Sequence, residues 1–359
     1  MLLVIALAHA HVFATVFGGA DAPASVADRL VTAGTTMFVE MRGYPMFAAL
    51  FGYGVAQIYQ RRIAQGHEWP WIRSVLRRRA RWLIVFGLIH VTLLFLGDIL
   101  AIYGLIALVF IGALRLRDRT LILLTGAIVP LGAILHAVVA ADEAMSESNG
   151  LPPVPLPDGV LSELVYRFAM FAIIGSMMVV STIAPFLLGI LAARHRVLEE
   201  PARHLRLLRL TAFAGIPLSV LGGLPLALAG AGVWAGYSPQ QAFIAGGLHQ
   251  LTGYAGGLGY AALVALVATR LQSAQGPLPA AIAALGQRSM TFYLAQSVAW
   301  AVLFASYTLH LQVTSTAVAA VIAVAVWLTT LLLADQLGRR GVRGPAEVAL
   351  RRLTYRTPR

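Results

Sequence analysis

Apolar residues dominate the chain in long runs, which recur from the first residue to about residue 336 and are separated by short polar or basic connections. A helix needs roughly 20 apolar residues to cross a bilayer core about 30 Å thick. The runs have this length and lack the alternation that is typical of strands. The sequence therefore predicts an all-α, polytopic membrane helix bundle with about ten transmembrane helices. The spans are expected at residues 1–19, 44–61, 80–97, 99–115, 118–140, 172–194, 207–231, 241–270, 289–308 and 312–336.

Two shorter helices are expected beside these spans. Ser25 and Asp28 in "SVAD" have the spacing of a capping box, in which each side chain satisfies a backbone N–H of the other residue at a helix start. That helix should continue to about Glu40. The stretch "LSELVYRFAMFA" (161–172) has an apolar and a polar face, which predicts a separate helix at the membrane interface before the sixth span.

The stretch "GLIHVTLLFLGDILAIYGLIAL" (87–108) places His90 and Asp98 in uncharged surroundings that extend over residues 83–114. One helix of that length would be about 48 Å long, which is too long for one crossing. We therefore expect a turn at Gly97-Asp98, with Asp98 accepting N–H bonds near residues 99–101 at the start of the next helix. On a straight helix His90 would lie about 12 Å away, so its coupling to Asp98 needs a bend, a water or a substrate.

Composition supports the membrane class and excludes several chemistries. The chain is 59% hydrophobic and 12% charged, whereas soluble domains are about 25% charged. It has no cysteine, which excludes disulfides, iron–sulfur clusters, thiol catalysis and cysteine-ligated zinc. It also has no lysine, which excludes Schiff-base chemistry, and we expect neither a metal nor a haem. Residues 1–19 lack a charged n-region, so we expect a first span there and not a cleavable signal peptide.

The arginines divide unequally between the two sides of the predicted bundle. If the spans alternate in direction, 24 of the 27 arginines fall on one side. The positive-inside rule then places both termini in the cytoplasm, as for a multi-pass protein of the bacterial inner membrane. This asymmetry accounts for the net charge of +12 without a nucleic-acid partner. One transmembrane domain covers residues 1–359, with an acidic, proline-rich outer loop at about 141–160 and an arginine-rich cytoplasmic tail at about 338–359.

Ionisable side chains inside a membrane are energetically expensive, so they are functional candidates unless a structural partner explains them. His9, His90 and Asp98 fall within or at the ends of predicted spans, and Glu40 and Arg42 open the second span. Each has a structural alternative. Asp98 can be a helix cap, His90 can be a core histidine bonded to a carbonyl, and Glu40 with Arg42 can form an interfacial ion pair.

Four stretches occur along the chain in an informative order. They are "RGYPMFAALFGYG" (42–54), "GLIHVTLLFLGDILAIYG" (87–104), "GQRSMTFYLAQS" (286–297) and "GPAEVALRRLTY" (344–355). Together they resemble the motifs of the YeiB-like family, also labelled domain of unknown function 418, over essentially the whole chain. That family is grouped with membrane acyltransferases, including the acyltransferase-3 enzymes and the heparan-glucosaminide acetyltransferases.

The resemblance implies transfer of an acyl group from a cytoplasmic thioester, such as acyl-CoA, to an envelope glycan or lipid. In the acyltransferase-3 group an arginine and a later histidine lie on the first helix. "MLLVIALAHAH" resembles the second half of that segment, with His9 at the histidine position. The partner arginine would precede Met1, so either the start is placed too late or the chain lacks this motif. An asparagine of the family pattern is Phe292 here.

Under this resemblance His9, His90 and Asp98 are the catalytic candidates. Either histidine would be the general base, and Asp98 would orient an imidazole or the acceptor. Substrate binding is assigned to Glu40, Arg42, Tyr44, Tyr293 and Gln296. We expect the polar motif residues to approach one polar cavity between the first four spans and the ninth, because polar side chains avoid lipid and need partners.

Two other functions stay open at this stage. Ten helices suit a small-molecule transporter or exporter, although no acidic residue lies near the middle of a predicted span, where a coupled carrier usually needs one. A non-catalytic membrane protein, such as a sensor or an assembly factor, is the third hypothesis. The lipid bilayer is the partner that all three share.

Overall fold

The structure, a computed structural model, describes residues 1–13, 25–149, 159–271, 276–305 and 307–355. Within these ranges the chain is helical and contains no β-strand, so the predicted all-α class is confirmed. The described helices are α1 (Leu2–Val12), α2 (Val26–Phe38), α3 (Gly43–Ala64), α4 (Trp69–Leu93), α5 (Leu100–Val109), α6 (Asp118–Ser148), α7 (Val160–Arg194), α8 (Leu205–Gly230), α9 (Pro239–Leu271), α10 (Pro277–Gln287), α11 (Ser289–Phe304), α12 (Thr316–Arg339) and α13 (Pro345–Tyr355), with 3-10 turns at Phe110–Arg115 and Pro201–His204.

Five helices of the described chain are long and apolar enough to cross a membrane, by length and composition. They are Asp118–Ser146, Val160–Arg194, Pro201–Gly230, Pro239–Leu271 and Thr316–Arg339. Shorter apolar helices at Leu2–Val12, Leu100–Arg115 and Ser289–Phe304 accompany them. These helices agree with the predicted membrane class. The number of ten spans and the side on which each terminus lies stay predictions.

Most predicted spans coincide with a helix, and the differences lie at helix ends. α4 begins at Trp69, well before the predicted start at residue 80, with Pro70 in its first turn, where the missing N–H of proline is not needed. The separate interfacial helix predicted at 161–172 is wrong, because α7 runs unbroken from Val160 to Arg194. No glycine or proline interrupts residues 160–174, so the amphipathic start continues directly into the apolar span.

Two predicted features extend beyond the described residues. The first span (1–19) and the outer loop (about 141–160) include residues 14–24 and 150–158, which lie outside the description. On either side of the loop, α6 continues to Ser148 and α7 begins at Val160. The predicted arginine-rich tail (about 338–359) contains helix α13.

The capped helix predicted at Ser25 is confirmed as α2. Ser25 Oγ accepts a hydrogen bond from Asp28 N at 3.1 Å, and Asp28 Oδ2 accepts one from Ser25 N at 3.1 Å. Asp28 also reaches the start of α12, where Oδ1 accepts hydrogen bonds from Ala317 N at 3.0 Å and Ser315 Oγ at 2.6 Å. One buried carboxylate therefore satisfies the first turns of two helices.

The long apolar helices pack at backbone distance in places. α9 packs against both α6 and α8, and α3 packs along α7. A Cβ at Gly189 of α7 would lie 1.9 Å from the carbonyl oxygen of Ala49, and a Cβ at Gly52 of α3 would lie 2.2 Å from that of Phe186. Only glycine permits this approach, which is the small-residue contact typical of membrane helices.

A second group of helices surrounds the beginning of the chain. α1 packs on α12, and α4 packs on α5 and on α13. Trp300 of α11 is fully buried, and its ring stacks on Phe304 with 5.7 Å between centroids. The turn between α4 and α5 lies where this group meets α3, and it holds the polar residues that the sequence singled out.

Candidate functional site

The turn between α4 and α5 holds the acidic residue in the position predicted for it. α4 ends at Leu93, and Asp98 lies two residues before the start of α5 at Leu100. Asp98 Oδ2 accepts a hydrogen bond from Ala101 N at 2.5 Å, within the stretch 99–101 where a capping bond was expected. The carboxylate thus satisfies one of the free N–H groups of the first turn of α5.

His90 contacts Asp98 directly, although straight-helix spacing predicted a separation. His90 Nδ1 lies 3.0 Å from Asp98 Oδ1, and the two side chains are only 1% and 0% exposed. The contact forms because α4 ends three residues after His90 and the chain turns back. Gly87 makes room for this return, since a Cβ there would lie 2.1 Å from Ala101 N and 2.4 Å from Asp98 Oδ2.

Tyr293 and His9 complete the cluster around this pair. Tyr293 Oη donates toward Asp98 Oδ1 at 3.5 Å and accepts from Ile99 N at 3.4 Å. The ring of Tyr293 has its centroid 5.0 Å from that of His90 and 6.2 Å from that of His9. We call His9, His90, Asp98 and Tyr293 the His90 cluster. All four side chains are buried, and they come from four different helices or turns.

The His90 cluster leaves hydrogen-bonding capacity unused. His90 Nε2 and His9 Nδ1 are buried and have no hydrogen-bond partner in the part of the chain that is described. An orphaned buried polar atom costs free energy, and native proteins satisfy nearly all such atoms. An imidazole nitrogen left free beside a carboxylate-held imidazole is therefore suited to bind or exchange a proton with a ligand.

Two cavities approach the cluster. The first, which we call the His9 cavity, has a volume of about 520 Å³ and is lined by residues that include His9, His11, Glu40 and Tyr44. Across its wall His11 Nε2 lies 3.5 Å from Glu40 Oε1. The polar lining thus contains two imidazoles, a carboxylate and a phenol, set among apolar side chains.

The second cavity, which we call the Arg79 cavity, has a volume of about 240 Å³ and includes Met1, Arg79 and Tyr293 in its lining. Phe47 and Ile99 line both cavities. Met1 and His11 lie near opposite ends of α1, about 15 Å apart along the helix axis. The two cavities therefore approach the His90 cluster from opposite ends of α1 and meet at Phe47 and Ile99.

Arg42 lies in a different place, in a second polar cluster. Its guanidinium is fully buried and donates from Nε to Ser219 Oγ at 2.6 Å and from Nη1 to the carbonyls of Thr36 at 2.9 Å and Glu40 at 2.5 Å. Nη2 donates to the Ser219 carbonyl, and Nη1 lies 3.1 Å from His249 Nδ1. We call Arg42, Ser219 and His249 the Arg42 cluster.

The structure therefore divides the residues that were expected to share one cavity. His9, Glu40 and Tyr44 line the His9 cavity, and Tyr293 lines the Arg79 cavity. Neither lining includes Arg42 or Gln296. Gln296 is buried and donates to Thr330 Oγ1 at 3.3 Å. The carboxylate of Glu40 lies beside His11, so the alternative of a Glu40–Arg42 side-chain ion pair is not what the structure has.

One residue of the site was missed by sequence reasoning. Arg79 of α4 was counted among the loop arginines, but it lines a cavity, and its Nε atom is buried without a hydrogen-bond partner in the described chain. Its only sequence signal is that it follows a run of arginines by less than one turn of apolar helix. Over the described ranges no group of three or more histidine, aspartate or glutamate side chains is arranged to hold a metal ion.

Comparison with known proteins gives one match. The family model described as "Protein of unknown function (DUF418)" matches residues 192–357. This region belongs to the DUF418 family. No curated protein and no solved structure matches the chain. The DUF418 match includes the motifs at 286–297 and 344–355, whereas the likeness at 42–54 and 87–104 rests on the motif residues themselves.

The two motifs inside the DUF418 region hold each other in place. Arg288 donates from Nε and Nη2 to the Val342 carbonyl at 2.9 and 2.6 Å. Glu347 of α13 accepts hydrogen bonds from the backbone N–H groups of Met290 at 2.8 Å and Thr291 at 3.2 Å. A carboxylate from α13 thus caps the start of α11. Because Tyr293 lies in that first turn, the DUF418 motifs position the tyrosine of the His90 cluster.

Proposed function

We propose that this DUF418 protein is a bacterial inner-membrane acyltransferase with ten spans and cytoplasmic termini, and that it moves an acyl group from a cytoplasmic thioester to an envelope acceptor. The observation that supports it is the His90–Asp98 pair, buried between two cavities that approach from opposite ends of α1, with His90 Nε2 lacking a partner. The DUF418 match and the five apolar helices support the membrane setting.

The pair has the arrangement that a general base requires. Asp98 beside Nδ1 favours the tautomer in which Nδ1 carries the proton, so that the lone pair of Nε2 is available. Nε2 would remove the proton from the hydroxyl or amine of the acceptor as that atom attacks the thioester carbonyl carbon. The carbon–sulfur bond then breaks, and the leaving thiolate takes the proton from His90. His9 is the alternative base, since it shares the cluster.

The two cavities suit the two substrates. The His9 cavity offers His11, Glu40 and Tyr44 to the hydroxyl groups of a glycan or lipid headgroup, and its volume lies in the usual range for ligand pockets. The Arg79 cavity offers a guanidinium to an anionic donor such as acyl-CoA. At about 240 Å³ it is small, so it would admit the thioester end of the donor only.

Thiol release tests this function directly. Because the chain has no cysteine, a thiol reagent reports free coenzyme A without a background from the protein. Purified protein in nanodiscs would be incubated with acyl-CoA and a panel of envelope glycans and lipids. We expect acceptor-dependent thiol release that falls about 10²- to 10⁴-fold in His90→Gln, as for other general bases, and falls clearly in Asp98→Asn.

His136→Gln is the matched control, because His136 is a half-buried histidine on α6 that takes no part in the His90 cluster. It should keep the rate of the unaltered protein. Equal rates in His90→Gln, Asp98→Asn and the unaltered protein would refute the catalytic role of the pair.

The second candidate is a transporter, and one observation favours it. Two cavities that meet at Phe47 and Ile99 resemble a path closed in its middle. In that case no acceptor would release a thiol, and proteoliposomes would show solute-dependent proton movement that His90→Gln abolishes. A non-catalytic protein would show neither activity.

A further inference from the structure

A third cavity lies away from the His90 cluster, between α3, α7, α8 and α9, with a volume of about 470 Å³. We call it the α7–α8 cleft. Its wall is built mainly of leucine and alanine side chains, such as Leu188, Ala192, Leu208 and Ala262, and Thr211 is one of its few polar residues. The free oxygen of Tyr53, which also lines it, is already occupied, because it accepts a hydrogen bond from Leu198 N at 3.0 Å.

The cleft lies at membrane depth. α7, α8 and α9 belong to three of the five helices that are long and apolar enough to cross a bilayer. From His195 at the end of α7 to Leu188 the wall extends about 10 Å along the helix axis. An apolar wall of this length, open between membrane helices, is a surface for an acyl chain and not for a soluble polar ligand.

The mouth of the cleft is basic. The connecting stretch "RHRVLEEPARHLRLLR" (194–209) contributes five arginines, two histidines and two glutamates. Of the glutamates, Glu200 is already paired with Arg196 at 2.8 Å and Arg203 at 2.5 Å. Arg206 and Arg209 are exposed on the first turns of α8, beside the lining residue His204. The positive charge at the mouth therefore exceeds the negative charge.

We propose that the α7–α8 cleft binds an anionic phospholipid of the surrounding bilayer. One acyl chain lies in the cleft, and the phosphate lies at its mouth against Arg206, Arg209 and His204. Basic pockets between membrane helices bind anionic headgroups, because guanidinium groups match phosphate geometry and the chain remains in an apolar environment. A zwitterionic lipid gains less from these arginines, and a free phosphate gains nothing from the apolar wall.

The test measures lipid retention and needs no enzymatic activity, so its outcome is independent of the acyl-transfer proposal. Full-length protein in mild detergent is equilibrated with equal amounts of phosphatidylglycerol and phosphatidylcholine, and bound lipid is counted by native mass spectrometry. We expect preferential retention of phosphatidylglycerol. The double variant Arg206→Gln/Arg209→Gln should lose about 30-fold in affinity, at about 5-fold per arginine near a lipid phosphate.

The matched control is Arg351→Gln/Arg352→Gln, which removes two exposed arginines from α13, outside the cleft. It should retain phosphatidylglycerol as the unaltered protein does. A second variant, Ala261→Leu, places a larger apolar side chain in the cleft wall and leaves every charge in place. It should reduce lipid retention even if the arginine variant is poorly folded, which size-exclusion chromatography reveals.

Three results would overturn the proposal. Equal retention of the two lipids by the unaltered protein would remove the role of the basic mouth. An equal loss in the α13 control would show general surface attraction. Displacement of phosphatidylglycerol by stoichiometric acyl-CoA, with unaltered retention in Ala261→Leu, would identify a site for a soluble thioester and not for a bilayer lipid.

Discussion

The two buried polar clusters of this protein differ in how completely their hydrogen bonds are made. In the Arg42 cluster the guanidinium donates from all three nitrogens, to a hydroxyl and to the carbonyls of three residues. In the His90 cluster two imidazole nitrogens, His90 Nε2 and His9 Nδ1, have no partner among the described residues. The Arg42 cluster is enclosed by helices, whereas the His90 cluster adjoins two cavities.

The difference separates two reasons for burying a polar group in a membrane bundle. A charge whose donors are all satisfied joins helices and has no capacity left for a ligand. Arg42 in this way ties the α2–α3 connection to α8 and α9. An imidazole with a free nitrogen costs stability and is retained for another purpose, such as proton transfer. The clusters should therefore respond in opposite ways to substitution.

The largest expected effect is on activity at the His90 cluster. His90→Gln should reduce acyl transfer about 10²- to 10⁴-fold, because the general base is lost. It should change the free energy of unfolding by less than about 1.5 kcal/mol, because glutamine is of similar size and can still donate to Asp98. Thiol release and chemical unfolding of the same preparation measure the two quantities. A variant that lost activity only because it unfolded would contradict this separation.

At the Arg42 cluster the larger effect should be on stability. Arg42→Met leaves the carbonyls of Thr36, Glu40 and Ser219 buried without donors, which should lower the free energy of unfolding by about 3–5 kcal/mol. Arg29→Met, at an exposed position on α2, is the control and should stay within about 0.5 kcal/mol. Thermal unfolding in detergent measures both. If Arg42→Met were as stable as the control but inactive, Arg42 would belong to the substrate site, as the motif resemblance implied.

Local features of both clusters could be predicted from the sequence. The Asp98 cap and the Ser25–Asp28 box depend on spacings of three residues, which one helical turn determines. The membrane class follows from run length and composition. These are properties of short segments, so no tertiary information was needed.

The tertiary partners could not be predicted in the same way. The His90–Asp98 contact depends on α4 ending at Leu93, and no glycine or proline marks that end before Gly97. Arg42 and His249 are 207 positions apart, and the carbonyls that receive the guanidinium exist in every residue, so they give no sequence signal. Polar candidates were therefore identified correctly as buried, while their grouping into one cavity was not achieved.

Glycine substitutions sharpen the comparison with a smaller effect. A Cβ at Gly223 of α8 would lie 2.6 Å from Arg42 Nη2 and 3.0 Å from His249 Nδ1. Gly223→Ala should therefore displace the guanidinium and lower the free energy of unfolding by about 1–3 kcal/mol. Gly34→Ala on α2 is the control, because nothing lies within 4 Å of its added Cβ. It should raise stability by about 0.5–1 kcal/mol through its helix propensity. Equal effects at both sites would show that the enclosure of Arg42 is loose.

Asp28 extends the comparison to a buried group outside the five candidate spans, and it gives the smallest expected effect. The Ala317 N–H, together with the Ser315 and Ser25 hydroxyls, holds the pKa of this carboxyl well below its usual range. A carboxyl whose pKa is lower in the folded state stabilises the fold above its unfolded pKa of about 3.9, and the stabilisation is lost as the pH falls through the folded pKa. Asp28→Asn removes the charge at every pH. The melting temperature of the unaltered protein should therefore exceed that of the variant above about pH 5, and the gap should narrow below about pH 4. Glu68→Gln, at an exposed position before α4 with no side-chain capping bond, should show no gap at any pH. A gap for Asp28→Asn that stays constant between pH 7 and pH 3 would mean that the hydrogen bonds, and not the charge they satisfy, stabilise the junction of α2 and α12.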